Sequence, residues 1–204
     1  MNLPDGYADV PDGKIAAVVT HLRMLQKPMR RAEVQSSWHL RHVTTPDLNW
    51  FRDLYRRIGE NWLWFVRLQM TDEQLAERLF MPGKEIHVLS DGGCDEGLLE
   101  FQFRAPGDCE VVFFGVTSKL LGNGAGRWLM NRALDLAWSR PIDRVWLHTC
   151  TFDHPAALGF YLRSGFQPFR RQIEVVDDPR LSGTLPRHAA PHIPIIEAQP
   201  KERA

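Results

Sequence analysis

Between Lys14 and Met24 the side chains alternate, with Ala16, Val18, Leu22 and Met24 set against Ala17, Val19, His21 and Arg23. A period of two predicts a β-strand rather than an amphipathic helix. Residues 27–37, with Pro28 and mixed charge, read as a linker, and residues 38–43 as a second short strand. Thr44-Thr45-Pro46-Asp47 predicts a helix start: a hydroxyl cap, proline in the first turn and an acid at the positive end of the dipole. Leu48, Phe51, Leu54, Tyr55 and Ile58 then share one face. Thr71-Asp72-Glu73-Gln74 is a capping box opening a second helix that carries Leu75, Leu79 and Phe80. Residues 84–89, 98–103 and 111–116 read as three strands, and the turn signals Asp91-Gly92-Gly93 and Ala105-Pro106-Gly107-Asp108 make them antiparallel hairpins. From Gly126 the period lengthens, and Leu129, Ala133, Leu136 and Ala137 form the apolar stripe of a helix. The spacing then predicts a strand over 144–150, a helix over 155–164 and a last strand over 169–176. Beyond Asp177 the chain is proline-rich and aperiodic.

This order predicts an α+β fold: a mixed, largely antiparallel central sheet flanked by helices, with an N-terminal strand extension and an irregular C-terminal arm. The chain divides into residues 1–37, the strand extension and linker, residues 38–176, the main folded domain, and residues 177–204, an arm whose end is expected to be disordered. A chain of 204 residues suits one core with appended segments better than two domains. Lys plus Arg equals Asp plus Glu at 25 each, which removes any bulk electrostatic reason to expect nucleic acid or an anionic membrane as partner. Arg23, Lys27, Arg30 and Arg31 form a local basic stretch that reads as a solvated face. Cys94, Cys109 and Cys150 show no CxxC spacing, which suits a reducing compartment, and cytoplasm is the expected location. The first residues lack the basic and apolar regions of a signal peptide, and no run approaches the ~20 apolar residues of a spanning helix.

The chemistry points to one loop. The apolar strand ending Gly115-Val116 runs through residues 117–121 into Gly122-Asn123-Gly124-Ala125-Gly126 and straight into a helix. Such a junction presents free backbone N–H groups at the positive end of a helix dipole, a site for phosphate. A glycine cluster by itself serves a tight turn equally well. A P-loop would end in Gly-Lys-Ser/Thr, whereas Arg127 and Trp128 follow the last glycine. A dinucleotide fingerprint fits poorly, because Arg127 stands where a glycine is required.

Leu121-Gly122-Asn123-Gly124-Ala125-Gly126 resembles the Arg/Gln-x-x-Gly-x-Gly/Ala signature of the GNAT superfamily, the GCN5-related N-acetyltransferases. It matches at both glycine positions and departs at the first, where Leu121 replaces Arg or Gln. Downstream, His154 to Phe166 echoes a second element of that family: the spacing Ala157, Tyr161, Gly165-Phe166 is kept and His154 replaces an asparagine. The two elements and the strand between them cover about residues 110–169. The resemblance implies acetyl-CoA, or another acyl-CoA, as co-substrate, with no metal. It places the phosphates on the loop amides of Leu121, Gly122, Asn123, Gly124, Ala125, Gly126 and Arg127, the thioester against Val116, and His154 and Ala157 beside the cofactor. Lys119 or Arg127 would supply the charge absent at Leu121.

Acetyl transfer needs a deprotonated amine, a stabilised oxyanion and a proton for the leaving thiolate. Glu110 opens the strand six residues before Val116, where a catalytic Glu sits in the histone-acetylating branch of the family, and is the first candidate base. Glu100 is the competitor, either facing a cleft or solvated, and water is a third. Tyr161 takes the place of the family's tyrosine near the CoA sulfur and is the candidate acid. A backbone N–H at Val116 is the candidate oxyanion donor, provided the strand splays from its neighbour. His148, Cys150, Asp153 and His154 also allow a cysteine acyl-enzyme or, less well, a metal site. Trp62 and Trp64 either join the core or wall an acceptor pocket. The acceptor is an amine of a small molecule or a protein, and family resemblance admits a homodimer. A CoA-binding module without chemistry is the alternative, on the strength of Leu121 and His154.

Overall fold

The computed structural model describes residues 5–197. Seven strands form one sheet: β1 (Lys14–Met24), β2 (His39–His42), β3 (Lys84–Asp91), β4 (Cys94–Arg104), β5 (Asp108–Val116), β6 (Arg144–Cys150) and β7 (Gln167–Asp177). Helices α1 (Leu48–Gly59), α2 (Asp72–Leu79), α3 (Ala125–Ala137) and α4 (Ala157–Arg163) flank it. The sheet order is β2-β3-β4-β5-β6-β1-β7, antiparallel throughout except where β5 meets β6. The α+β class with a mixed, largely antiparallel sheet is therefore what the chain adopts. The first strand in sequence is not an appendage: β1 lies between β6 and β7, with Val19 opposite Cys150 on one side and Gln172 on the other.

Strand alternation sends apolar side chains to both faces. Leu22, Leu99, Phe101, Val111, Val145 and Leu147 pack under α3 and α4 with Leu129, Ala133 and Phe166. On the opposite face Ile86, Val88 and Leu98 meet Phe51, Leu54, Tyr55 and Ile58 of α1 and Leu75 and Leu79 of α2. A third cluster joins Ile15 and Ala17 of β1 to Leu63 and Phe152, and is closed by Leu185, Ala189 and Ala190 of the C-terminal arm.

Several boundaries differ from the sequence reading. Asp47, not a threonine, caps α1: its Oδ1 accepts from Trp50 N at 2.8 Å, so Pro46 precedes the cap. The Thr71 capping box is formed as expected, with both reciprocal bonds to Gln74. Helix α4 begins at Ala157, two residues late, and β7 begins at Gln167, two early. Residues 178–197 are irregular but packed: buried Asp178 and Arg180 pair at 2.7 Å, and Arg180 Nη1 also donates to the carbonyls of Ala189, Ala190 and Ile193. The arm's expected disordered end falls at residues 198–204, outside the described residues. No helix among those described is long and apolar enough to cross a membrane.

Candidate active site

β5 and β6 pair over only three positions, Asp108–Arg144, Cys109–Val145 and Glu110–Trp146. Beyond Glu110 they part. The cause lies in the β4–β5 register: Glu100 faces Phe113 while Phe101 faces Val111, so Val112 is an extra residue, a β-bulge that bends β5 away. Thr117 N donates to Glu96 O on the β4 side. Alternation along an extended strand then turns the N–H of Val116 the other way, into the opening. The splay that an oxyanion site at Val116 requires is thus built by a single inserted residue.

The opening is a cleft of about 470 Å³, within the range of small-molecule sites. Phe114, Val116, Leu121, Ala157 and Tyr161 line it on the α3–α4 side, and Tyr55, Trp62, Trp64, Arg67, Glu110 and Phe113 on the other. Trp62 and Trp64 are both only partly buried and line this cleft.

The glycine loop sits at the α3 end. Gly122 and Gly124 hold φ of 79° and 88°, the left-handed region that glycine enters without penalty. Gly124 is the N-cap of α3 and no side chain caps the helix, which leaves first-turn N–H groups without a side-chain partner. A Cβ on Gly124 would also lie 3.0 Å from Val34 Cγ2. Asn123 donates from Nδ2 to Lys119 O at 3.3 Å, and Gly126 lies under the Phe160 ring. Leu121 is 42% exposed at the cleft edge. Lys119 is turned away toward Glu96 at 3.2 Å and Asp91 at 3.6 Å, and Glu96 raises its pKa. Arg127 donates to Ala32 O at 3.1 Å.

The basic stretch is solvated at Lys27 and Arg30, whose side chains are 52% and 53% exposed, but it is also anchored. Its linker docks along α3: Asn131 exchanges hydrogen bonds with the main chain of Arg31, Glu33 pairs with Arg132, and Lys27 and Arg30 reach Asp135. Arg31 donates to Ser164 Oγ at 3.2 Å. Its pKa is lowered by burial and by the neighbouring charges of Arg127 and Arg163. Long-range docking of a polar segment leaves no periodic signal in sequence.

Glu110 occupies the vertex where the strands separate, and Arg104 Nη2 donates to its Oε2 at 2.6 Å. Glu100 is not solvated: it is fully buried, and its Oε1 accepts from Arg67 and Lys84, each at 2.6 Å. Burial lowers the pKa of Lys84 against the pull of Glu100. Three buried polar atoms in this region have no partner among the described residues: Arg67 Nε, Glu100 Oε2 and Gln102 Oε1. Arg67, Lys84 and Gln102 were not singled out by the sequence reading. The signal that could have found Gln102 is its period-two spacing from Glu100 along β4; Arg67, in the irregular segment between α1 and α2, and Lys84, at the start of β3, carry no such pattern.

Tyr161 is buried against Phe114, Phe160 and Phe166, and burial pushes its hydroxyl pKa well up. His154 packs edge-on to Trp62 at 4.8 Å and accepts from Ala156 N through Nδ1, so it belongs to a turn that bridges the two sides of the cleft. Asp153 accepts from Thr149 Oγ1, Cys150 N and Trp64 Nε1. Burial raises the Cys150 thiol to about 11, so the thiol is protonated at neutral pH and ill-suited to form an acyl-enzyme. Elsewhere, on the β2–β3 edge, His42, Glu85 and His87 bring ligand atoms within 4.8 Å of one another. Arg140 already engages Glu85, and the two imidazoles stack.

A family model described as "Acetyltransferase (GNAT) family" matches residues 49–166, more than half of the chain. The chain belongs to that family. Among solved structures, a GCN5-related N-acetyltransferase from Sphaerobacter thermophilus aligns at 15% identity and TM-score 0.59, over 79% of this chain and 52% of that one. A functionally unknown conserved protein from Staphylococcus epidermidis aligns at 15% identity and TM-score 0.56, over 81% of this chain and 64% of that one. A Bacillus subtilis acetyltransferase in complex with CoA aligns at 16% identity and TM-score 0.50, over 64% and 77%. The chain thus spans between about half and two thirds of the first two proteins' length. No curated protein matches.

Proposed function

We propose that the protein moves an acetyl group from acetyl-CoA to an amine by direct attack within a ternary complex. The observation that carries this reading is the parting of β5 from β6 beside an α3 start without a side-chain cap, which sets free helix amides next to a cleft lined from both faces of the sheet. The CoA diphosphate would sit on the amides of the Gly122–Gly126 loop, with Arg127 and Arg31 supplying the charge that Leu121 does not. The thioester carbonyl would lie against the N–H of Val116. The acceptor enters from the side of Trp62, Trp64 and Arg67.

In the reaction the amine nitrogen bonds to the carbonyl carbon and the C–S bond breaks. Glu110, at the vertex, takes the amine proton directly or through water, using the oxygen that Arg104 does not hold. Tyr161 stays protonated because it is buried. Its phenol is a weaker acid than a thiol, with reference values near ~10 and ~8.5, so it stabilises the leaving thiolate by a hydrogen bond. The thiolate takes its proton from solvent.

Titration calorimetry with CoA and acetyl-CoA tests the binding half: saturable heats are expected, and none at millimolar ligand would sink the reading. The exposure of Leu121 and the Arg104–Glu110 pair favour a second reading, a CoA-binding module without turnover. Thiol release with a panel of amines separates the two.

A further inference from the structure

The acceptor side of the cleft is electrically divided. At one end Arg67, Arg78, Lys84 and Arg104 line it, and the carboxylates among them are Glu100 and Glu110. Four cations against two carboxylates leave this end with a net positive charge. Arg78, on the exposed face of α2, has no carboxylate partner among the described residues. The other end carries Asp153 and Glu174. Between them the walls are aromatic, from Trp62, Trp64, Phe65 and Phe113.

The cationic end is also where the protein leaves hydrogen bonds unmade. Arg67 is 4% exposed and its Nε, a donor, has no acceptor among the described residues; Gln102 is 3% exposed and its Oε1, an acceptor, has no donor there and suits an ammonium rather than an anion. Both side chains line the cleft. A buried donor without a partner is costly, and a carboxylate would satisfy the one on Arg67 through a charge-assisted hydrogen bond. The excess of cations favours the anionic terminus of a molecule that carries both charges, drawing its anion toward Arg78, while Glu110, within the same end, takes its amine beside the thioester.

We propose that the acceptor is a small amine that also carries a carboxylate, bound through that carboxylate by Arg78, Lys84, Arg104 and the free Nε of Arg67. This rests on the acyl-transfer reading above and names the substrate class of the same site. The aromatic walls make apolar amino acids the natural probes.

The test measures thiol release from acetyl-CoA with phenylalanine, leucine and tryptophan, each against its carboxamide and its decarboxylated amine. The full-length protein is used, and acetyl-CoA binding is followed in parallel by calorimetry. The acids are expected to exceed both counterparts at least tenfold in kcat/KM, although the carboxamides have the more acidic ammonium and so more free amine at neutral pH. Arg78→Ala, on an exposed helix face, should lower the acid-to-amide ratio at least tenfold, and Arg78→Glu should invert it. Equal or better turnover of the uncharged counterparts, or a ratio indifferent to Arg78→Glu, overturns the proposal. So does acetyl-CoA binding with no thiol release from any carboxylate-bearing amine, an outcome that leaves the CoA site standing. Absence of acetyl-CoA binding is the separate result that removes the acyl-transfer reading and this proposal with it.

Discussion

At the scale of single residues, Tyr161 and Gly124 give opposite kinds of test. Tyr161→Phe keeps the ring among Phe114, Phe160 and Phe166 and removes only the hydroxyl. The thermal midpoint should move little, while kcat falls by about 10²-fold, the low end of what loss of one preorganised hydrogen bond to a developing negative charge costs. Steady-state kinetics and a thermal melt on the same preparation check both halves. Gly124→Ala acts on structure first. At φ of 88° an added Cβ is strained, and it meets Val34 at 3.0 Å. A loss of about 1–2 kcal/mol of stability follows from the left-handed conformation alone, with weaker CoA binding beside it. Urea unfolding and calorimetry report the two effects. Gly122→Ala, with open space around its Cβ, should show the strain without the clash.

At the scale of elements, helix starts and the linker each carry a measurable share. Thr71→Ala removes the hydroxyl that accepts from Gln74 N in the α2 capping box, leaving the reciprocal bond from Thr71 N to the Gln74 side chain, and should cost about 1 kcal/mol in urea unfolding. The linker depends on Glu33. Burial raises the pKa of this carboxyl, but hydrogen bonds from Arg132, Asn131 and Arg30 outweigh burial and bring it down to about 2. Its folded value lies below the unfolded reference of ~4.3. The stabilisation is therefore complete above that reference and is lost as the pH falls toward 2. Trp38, edge-on to Trp128 at 6.1 Å, reports on the linker's end. Its fluorescence should change between pH 4.5 and 2 in the wild type, and Glu33→Gln should show the acid-state signal already at neutral pH. A flat wild-type profile would contradict this account.

The same scale explains what was legible beforehand. Strands β3, β4 and β5 and the α3 stripe are local patterns, so the α+β class and the position of the glycine loop could be read from period and turn signals alone. The cap of α1 was displaced to Asp47 because Thr45 and Asp47 are both competent caps and only geometry chooses between them. Glu110 and Tyr161 became candidates through the family resemblance, yet nothing in the sequence shows Arg104 on the first or burial around the second. The Val112 bulge, which opens the cleft, was invisible for a related reason: a bulge is a mismatch between two strands, and one strand's sequence contains half of it.

At the scale of the whole molecule, the C-terminal arm is structural. Arg180→Ala would leave Asp178 buried without its ion pair and free three carbonyls. Breaking a buried pair in this way costs about 3–5 kcal/mol, and urea unfolding should show it. Because Leu185, Ala189 and Ala190 share a cluster with Leu63 and Phe152 beside the cleft, the loss should also appear as looser acceptor binding.

The position of β1 between β6 and β7 also sets an order of events during synthesis. Lys14 leaves the ribosome long before its register partner Asp177, and the strand on the other side of β1 begins only at Arg144. The nascent chain must hold an alternating, half-apolar strand unpaired while more than a hundred residues are made. The central strands β3–β5 can pair long before that. The seam of the sheet closes last, by insertion between two late strands, which is a high contact order for its final step. A chain stalled before residue 167 would carry β1 with β7 missing beside it, and such a chain is the species most exposed to chaperones and to aggregation.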